Sequence, residues 1–594
     1  MIEMKREISR IIIAAAALCC GATPACAQQE DRNQGVTANK PTAFQRVGSQ
    51  DESLQDFFPG EIRARPVLGN YTQGQYMGLF SGGQDLAGPQ QDYYADERWG
   101  DQGDGTFANP VLNADYSDPD VIRVGSKYYM TCSEFHFMGM PILESDDMVN
   151  WCVVAHIFTS INLPGYSSMT KYGGGTWAPV LREHDGRFYM YVCTPDEGLF
   201  MSVADDICGP WEPLHQVKAV SGWEDPCPFW DDDGQAYLGR SQLGGGPIIL
   251  HKMSADGRQL LDDGKEIYNG PVAEGTKLFK RNGWYYLSIP EGGVGTGWQQ
   301  VLRSQNIYGP YDGRTILERG VTNVNGPHQG ALVDTPEGEW WFFHFQSTEP
   351  LGRVVHLQPV TWADDGFPII GTDYDQNGIG EPMKICRKPA VKGDLQSPPH
   401  YPQGSDDFSS ATLHPMWQWN HNPDSTRFSL SERPGWLTLR PRNATTLRTA
   451  RNQLTQKLMG YKGEATVTLD YTELNDSTRS GLACIGNTFF GAGIRKGGGK
   501  TYLYWEKDGS EKIVRALTDN ELLSGIICLR LQFDAISNSF RFRFSLDGTT
   551  FTDLGDSFKQ GSRDWKGARL ALYSYTTGKQ GGNAHFDEFN YQFQ

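Results

Sequence analysis

The chain alternates apolar and polar residues in short runs, and five of those runs share one pattern. Each follows a turn glycine and is rich in aromatics: Lys127-Tyr-Tyr-Met-Thr, Arg187-Phe-Tyr-Met-Tyr, Gln235-Ala-Tyr-Leu-Gly, Trp284-Tyr-Tyr-Leu-Ser and Glu339-Trp-Trp-Phe-Phe. The glycines are Gly125, Gly186, Gly234, Gly283 and Gly338, so the unit recurs after 61, 48, 49 and 55 residues. Alternation with a period of two reads as strand. A unit of this length holding several short strands predicts a β-propeller with one blade per repeat, here five blades. Seven to ten residues before each glycine stands a distinctive residue: Asp118, Trp177, Asp225, Glu274 and His328. Equivalent positions of a propeller point at one axis, so these five are expected to meet in a pocket.

A second series of alternating strands follows. It includes Trp436-Leu-Thr-Leu-Arg, Ala465-Thr-Val-Thr-Leu, Leu529-Arg-Leu-Gln-Phe, Phe540-Arg-Phe-Arg-Phe and Arg569-Leu-Ala-Leu-Tyr, with turns such as Asp547-Gly548. This density predicts a β-sandwich over residues 405–594. The propeller is expected over 105–387. Between them Pro389, Pro398, Pro399 and Pro402 mark 388–404 as a linker. Residues 28–104 are polar and lack periodicity, so they read as an extended lead-in. The fold class is therefore all-β, and 594 residues exceed what one core supports.

The first 27 residues read as an export signal. Lys5, Arg6 and Arg10 precede an apolar stretch from Ile11 to Cys20, and Ala25-Cys26-Ala27 offers a cleavage site. That stretch is too short to span a bilayer. A lipid anchor at Cys19 or Cys20 is the weaker alternative, since the usual upstream Leu is missing. The expected location is periplasmic or secreted. A net charge of −18 argues against nucleic acid or an anionic membrane as partner. Eight cysteines remain after cleavage, none in a CxxC pair, so zinc is not expected and buried thiols are.

Asp118 and Asp225 each precede a proline, and Glu274 precedes a glycine. A lone Asp-Pro is an ordinary turn, but three carboxylates recurring in register are not. Like charges near one axis push at least one pKa upward. That suits inverting glycoside hydrolysis, in which one carboxylate activates water and one carboxylic acid protonates the leaving oxygen. A third carboxylate can keep the acid protonated.

The segments Asp115-Tyr-Ser-Asp-Pro-Asp, Thr176-Trp-Ala-Pro, Asp225-Pro with Asp231-Asp-Asp-Gly, Glu274-Gly and Gly326-Pro-His-Gln-Gly resemble glycoside hydrolase family 43, over 105 to about 385. Gly352-Arg-Val-Val-His and Gly293-Val-Gly-Thr-Gly-Trp resemble its exported α-L-arabinofuranosidases and β-xylosidases, and the tail resembles their concanavalin-like sandwich. The resemblance implies that Asp118 is the general base, Asp225 the pKa modulator and Glu274 the general acid. It also implies that Arg353 meets the sugar and that His328 lies by a calcium ion or its water, with a histidine that only hydrogen-bonds the carboxylates as the equal alternative; Gln329 is a further candidate for substrate binding. The chemistry itself requires no cofactor. Trp177, Phe135 and Trp298 are the candidate stacking aromatics. Glu144 and the Phe135-His-Phe-Met-Gly loop depart from the family pattern and are expected at the pocket mouth.

The expected activity is exo-cleavage of terminal α-L-arabinofuranose or β-D-xylose from plant polysaccharide, with a slight lean to arabinofuranose. Endo-arabinanase, galactan-directed and non-catalytic glycan-binding propellers are the alternatives. For the sandwich, packing on the propeller is preferred to independent glycan binding.

Overall fold

The computed structural model describes residues 97–391 and 399–594. The export signal and most of the lead-in lie outside the described residues.

Five four-stranded antiparallel sheets follow one another along the chain. The innermost strands are Asp120–Val124, Trp177–His184, Trp223–Trp230, Lys277–Arg281 and His328–Asp334, and the aromatic runs form the second strands. The aromatics sit where alternation puts them, with Tyr128, Tyr191, Tyr286 and Phe342 buried between sheets. Successive inner strands of blades one to four pack on one another, the second and third strands of blade four pack on His328–Asp334, and His328–Asp334 packs back on Asp120–Val124. The ring is therefore closed, and the structure is a five-bladed propeller. A small sheet of Gly100–Asp101, Thr106–Ala108 and Ile385–Arg387 joins the chain entering the first blade to the chain leaving the last. This clasp ties the ends of the ring together. Lower on the axis, Asp120 is fully buried between Arg182 at 2.8 Å and Lys277 at 3.0 Å, which links blades one, two and four.

The C-terminal part is a sandwich of an eight-stranded and a seven-stranded sheet. Ile526–Asp534 shows the expected pattern, with every second side chain buried. The span read as a linker is packed at its described ends. Lys388 pairs with Asp101 and Asp147, and Tyr401 lies against Trp99 and Phe593 at 5.1 and 5.3 Å. Among the described residues seven cysteines keep their thiols outside any disulfide, and six of them are buried.

Propeller and sandwich share one apolar cluster, which runs from Val111, Leu112 and Tyr116 to Leu458, Met459 and Phe593. A charged knot is buried within this junction. Glu134 of the propeller meets Lys457 and Arg569 of the sandwich, both at 2.5 Å, and Asp115 meets Lys566 at 2.7 Å. Each of the five is at most 2% exposed at its side chain. The sandwich packs on the propeller. No helix among the described residues is long and apolar enough to cross a membrane.

Candidate active site

Each blade is entered through one left-handed residue: Asp118 (φ 53°), Ala178 (38°), Asp225 (53°), Gly275 (57°) and Gln329 (52°). Only glycine, and less readily Asp or Asn, adopts this conformation cheaply. In a regular strand neighbouring side chains alternate faces. At these kinks, joined in blades two, three and five by a break in strand register, two neighbours face the same way. The repeat is thus shifted from the sequence phase. Asp118 and Asp225 stand on the kink, whereas Trp177, Glu274 and His328 stand one residue before it. The residue before the kink in blade three is Glu224.

Asp118 is 5% exposed and accepts three hydrogen bonds. Arg353 donates at 2.7 Å, Ser133 at 2.5 Å and Ser117 at 3.0 Å. The Ser133 hydroxyl in turn accepts the Ala178 amide at 2.6 Å, so the second blade orients the group holding Asp118. Arg353 is itself buried and also reaches Ser117 at 3.0 Å.

Asp225 is held as firmly. Ser241 and the Gly275 amide donate at 2.7 Å, and Gln329 donates at 3.2 Å. Burial still raises its pKa, with Asp118 adding to the effect and Ser241 and Gly275 pulling against it. Glu274 lies one residue from Gly275, and burial with the nearby Asp225 charge pushes it up to about 8. Carboxyl oxygens of Glu224, Asp225 and Glu274 all lie within 4.8 Å of one another. The pocket therefore holds a carboxylate paired with a guanidinium, an acid that keeps its proton through neutral pH, and a third carboxylate beside that acid.

Three rings form a wall. Phe135 and Trp177 meet edge-on at 5.6 Å, and Trp565 of the sandwich stacks on Phe135 at 6.1 Å and meets Trp177 edge-on at 4.9 Å. Gly175 allows the close approach, since a Cβ there would lie 1.9 Å from the Phe135 carbonyl oxygen. Trp565 is 51% exposed, which leaves a face free for a sugar ring. Trp298 is set in blade four by a hydrogen bond to Glu291 at 3.2 Å and by packing on Gly292. Gln329 is committed to Asp225 and Arg353 to Asp118.

Glu144 is not at the pocket mouth. It sits on the third strand of blade one and pairs with Lys127 at 2.5 Å, next to the Gly125 turn and away from Asp118. Its half-buried position makes an ion pair the natural solution. His328 is fully buried beside the Gly293 backbone, neither ring nitrogen reaches full hydrogen-bond geometry among the described residues, and burial lowers its pKa to about 4 against the pull of Gly293. An unprotonated ring nitrogen could ligate a metal. Yet neither cluster of three donors among the described residues includes His328. Calcium prefers six to eight oxygens, so a calcium ion here would draw most of its ligands from water.

Sequence reasoning did not single out Glu224 or Trp565. The first stands before the kink as Glu274 does, but no residue type marks that kink in the sequence. The second carried no signal, since Arg563-Asp-Trp-Lys-Gly lies outside any repeat.

Comparison with known proteins gives a consistent result. The profile of Glycosyl hydrolases family 43 matches residues 107–368, and that of the Beta xylosidase C-terminal Concanavalin A-like domain matches residues 405–592. A Xylanibacter ruminicola protein named "Putative beta-xylosidase" is 53% identical over 80% of this chain and 87% of its own. A Formosa agariphila beta-xylosidase is 36% identical over 83% and 92%. A GH43 glycoside hydrolase engineered to display both endo-xylanase and exo-arabinofuranosidase activity superimposes with a TM-score of 0.73. It is 25% identical, over 82% of this chain and 99% of that one.

Proposed function

Because the chain belongs to glycosyl hydrolases family 43, we propose that it is an exo-acting, inverting hydrolase of plant cell-wall polysaccharide or its oligosaccharides. It removes terminal β-D-xylose and, as a second substrate, α-L-arabinofuranose. The relatives named beta-xylosidase support putting xylose first. The observation that carries the proposal is the pairing, in one pocket, of an Arg353-bound Asp118 with a proton-holding Glu274.

In this reading Asp118 removes a proton from the attacking water while Arg353, Ser117 and Ser133 keep its free lone pairs aimed. Glu274 gives its proton to the leaving oxygen as the glycosidic bond breaks. Asp225, whose charge three donors stabilise against burial, disfavours a second negative charge beside it and so keeps Glu274 protonated. The wall of Phe135, Trp177 and Trp565 takes the sugar face.

Assaying both nitrophenyl pentosides tests the proposal, and activity on neither by folded protein would refute it. The alkaline decline of kcat/KM is expected to begin at about 8, where Glu274 starts to lose its proton. A limb about two units lower would remove Glu274 from the acid's role. Trp565→Ala is expected to cost roughly three- to tenfold in kcat/KM, mostly in KM. No change would mean that the sandwich ring does not touch substrate. Calcium held through water beside His328 belongs to the same proposal. Calcium chelation is then expected to lower the unfolding temperature, with calcium restoring it.

The export reading also stands as a proposal. N-terminal sequencing of secreted protein would test cleavage after Ala27.

A further inference from the structure

Glu224 belongs to the same ring of positions as Glu274, one residue before the blade-entry kink, and no role described so far uses it. Its side chain is buried, with the residue 7% exposed, and its Oε1 has no hydrogen-bond partner among the described residues. The kink at Asp225 and the break in register between Glu224 and Cys227 turn two successive carboxyls to one side. An oxygen of Glu224 thereby lies within 4.8 Å of oxygens on both Asp225 and Glu274. The donors of the pocket are already assigned. Arg353, Ser117 and Ser133 serve Asp118, while Ser241, Gly275 and Gln329 serve Asp225.

Glu224 makes no ion pair among the described residues, and the nearby cation on its partner strand, the buried Arg240, faces the Cys193 thiol and His251. Asp225 adjoins it on its own strand, Glu274 faces it from the entry to blade four, and Asp118 from the entry to blade one. The Cys193 thiol lies close by in blade two, and the Gly245 amide approaches from the loop of blade three. Arg353 of blade five acts on Glu274 and Asp118, and Lys277 acts on Asp225. A buried carboxyl without a cation or a full set of donors holds a proton.

We propose that Glu224 is a positioning residue for the acid, a second buried carboxyl whose charge acts on Glu274 across the gap between their oxygens. The inference rests on the assignment of Glu274 as the acid. When the pair has lost one proton, the remaining proton divides between the two carboxyls, so a fraction of molecules keeps Glu274 protonated and active. Two interacting groups release protons in two macroscopic steps. Burial and the charges of Asp225 and Glu274 hold Glu224 up at about 9, which places the second step above the first.

The test is the pH profile of kcat/KM for the wild type, Glu224→Gln and Glu224→Asp on nitrophenyl β-D-xyloside, with unfolding temperatures measured alongside. The wild type is expected to decline in two steps on the alkaline side. Glu224→Gln keeps shape and neutrality, so it should match the wild type within about threefold at about pH 6. It should then fall in a single step and lag by about threefold or more at about pH 9. Glu224→Asp keeps a titrating carboxyl and should restore the two-step decline. Should Glu224→Gln not fold, the Glu224→Asp and wild-type profiles decide, since a one-step decline in both overturns the proposal. A loss in Glu224→Gln that is equal at every pH also overturns it, because that is the mark of a purely structural residue. Inactive wild type would instead refute the hydrolase reading itself.

Discussion

Glu274→Gln is expected to lower kcat by about 10²–10⁴-fold on xylooligosaccharides, where the departing sugar oxygen is a poor leaving group and needs a proton. The loss should be much smaller on nitrophenyl β-D-xyloside, because nitrophenolate leaves without help. Asp118→Asn should behave differently and lose activity on both, since water must be activated whatever leaves. The contrast follows from the surroundings of the two groups. Asp118 is tied to Arg353 and two serines, whereas burial beside Asp225 keeps Glu274 protonated. Steady-state kinetics on the two substrates checks this, with a pentose-releasing assay for the oligosaccharide. Equal losses on both substrates for Glu274→Gln would separate Glu274 from proton donation. Retained binding of substrate by the inactive variant would show that the pocket itself is intact.

Glu134→Gln is expected to destabilise the protein by about 3–5 kcal/mol, the usual result of removing one partner from a buried ion cluster. The substitution leaves Lys457, Lys566 and Arg569 buried against Asp115 alone. Burial by itself would raise the Glu134 pKa, but these three cations outweigh it and hold the carboxyl well below the usual range. A depressed carboxylate contributes its stability above the unfolded value, about 4.3. That contribution is lost as pH falls toward the folded value. The gap between wild type and variant should therefore be full at neutral pH and shrink below about pH 4. Denaturant unfolding at several pH values measures it. Lys566 adjoins Trp565, so a milder rise in KM is also expected. An unchanged stability would mean that the apolar cluster alone joins the two domains.

The propeller was legible because its strands announce themselves locally, with a turn glycine, an aromatic run and a fixed return distance. The carboxylates were legible for a related reason, since Asp118 and Asp225 are flagged by the prolines that follow them. Glu274 and His328 were found with them, but the phase was one residue off. The left-handed kinks that define the true repeat are carried by Asp, Ala, Gly and Gln in turn, and no residue type marks them all. That offset is why Glu224 went unread although it is the counterpart of Glu274. Glu144 was misplaced because its motif gives no indication of which end of the blade it occupies. Lys127, seventeen residues earlier, decides that. The interdomain knot was not legible at all. Glu134 and Arg569 stand 435 residues apart, and a single sequence carries no record of such a pairing. Trp565 shares that limit, since the sandwich strands predict a domain but not which loop reaches the pocket.

Inversion is the claim on which the assigned roles of Asp118, Asp225 and Glu274 all depend, and proton NMR of the first sugar released tests it most directly. From nitrophenyl β-D-xyloside, inversion predicts α-xylose at the earliest times, with the β anomer appearing only as mutarotation proceeds. β-Xylose formed first would mean retention through a covalent intermediate and would contradict the base role of Asp118.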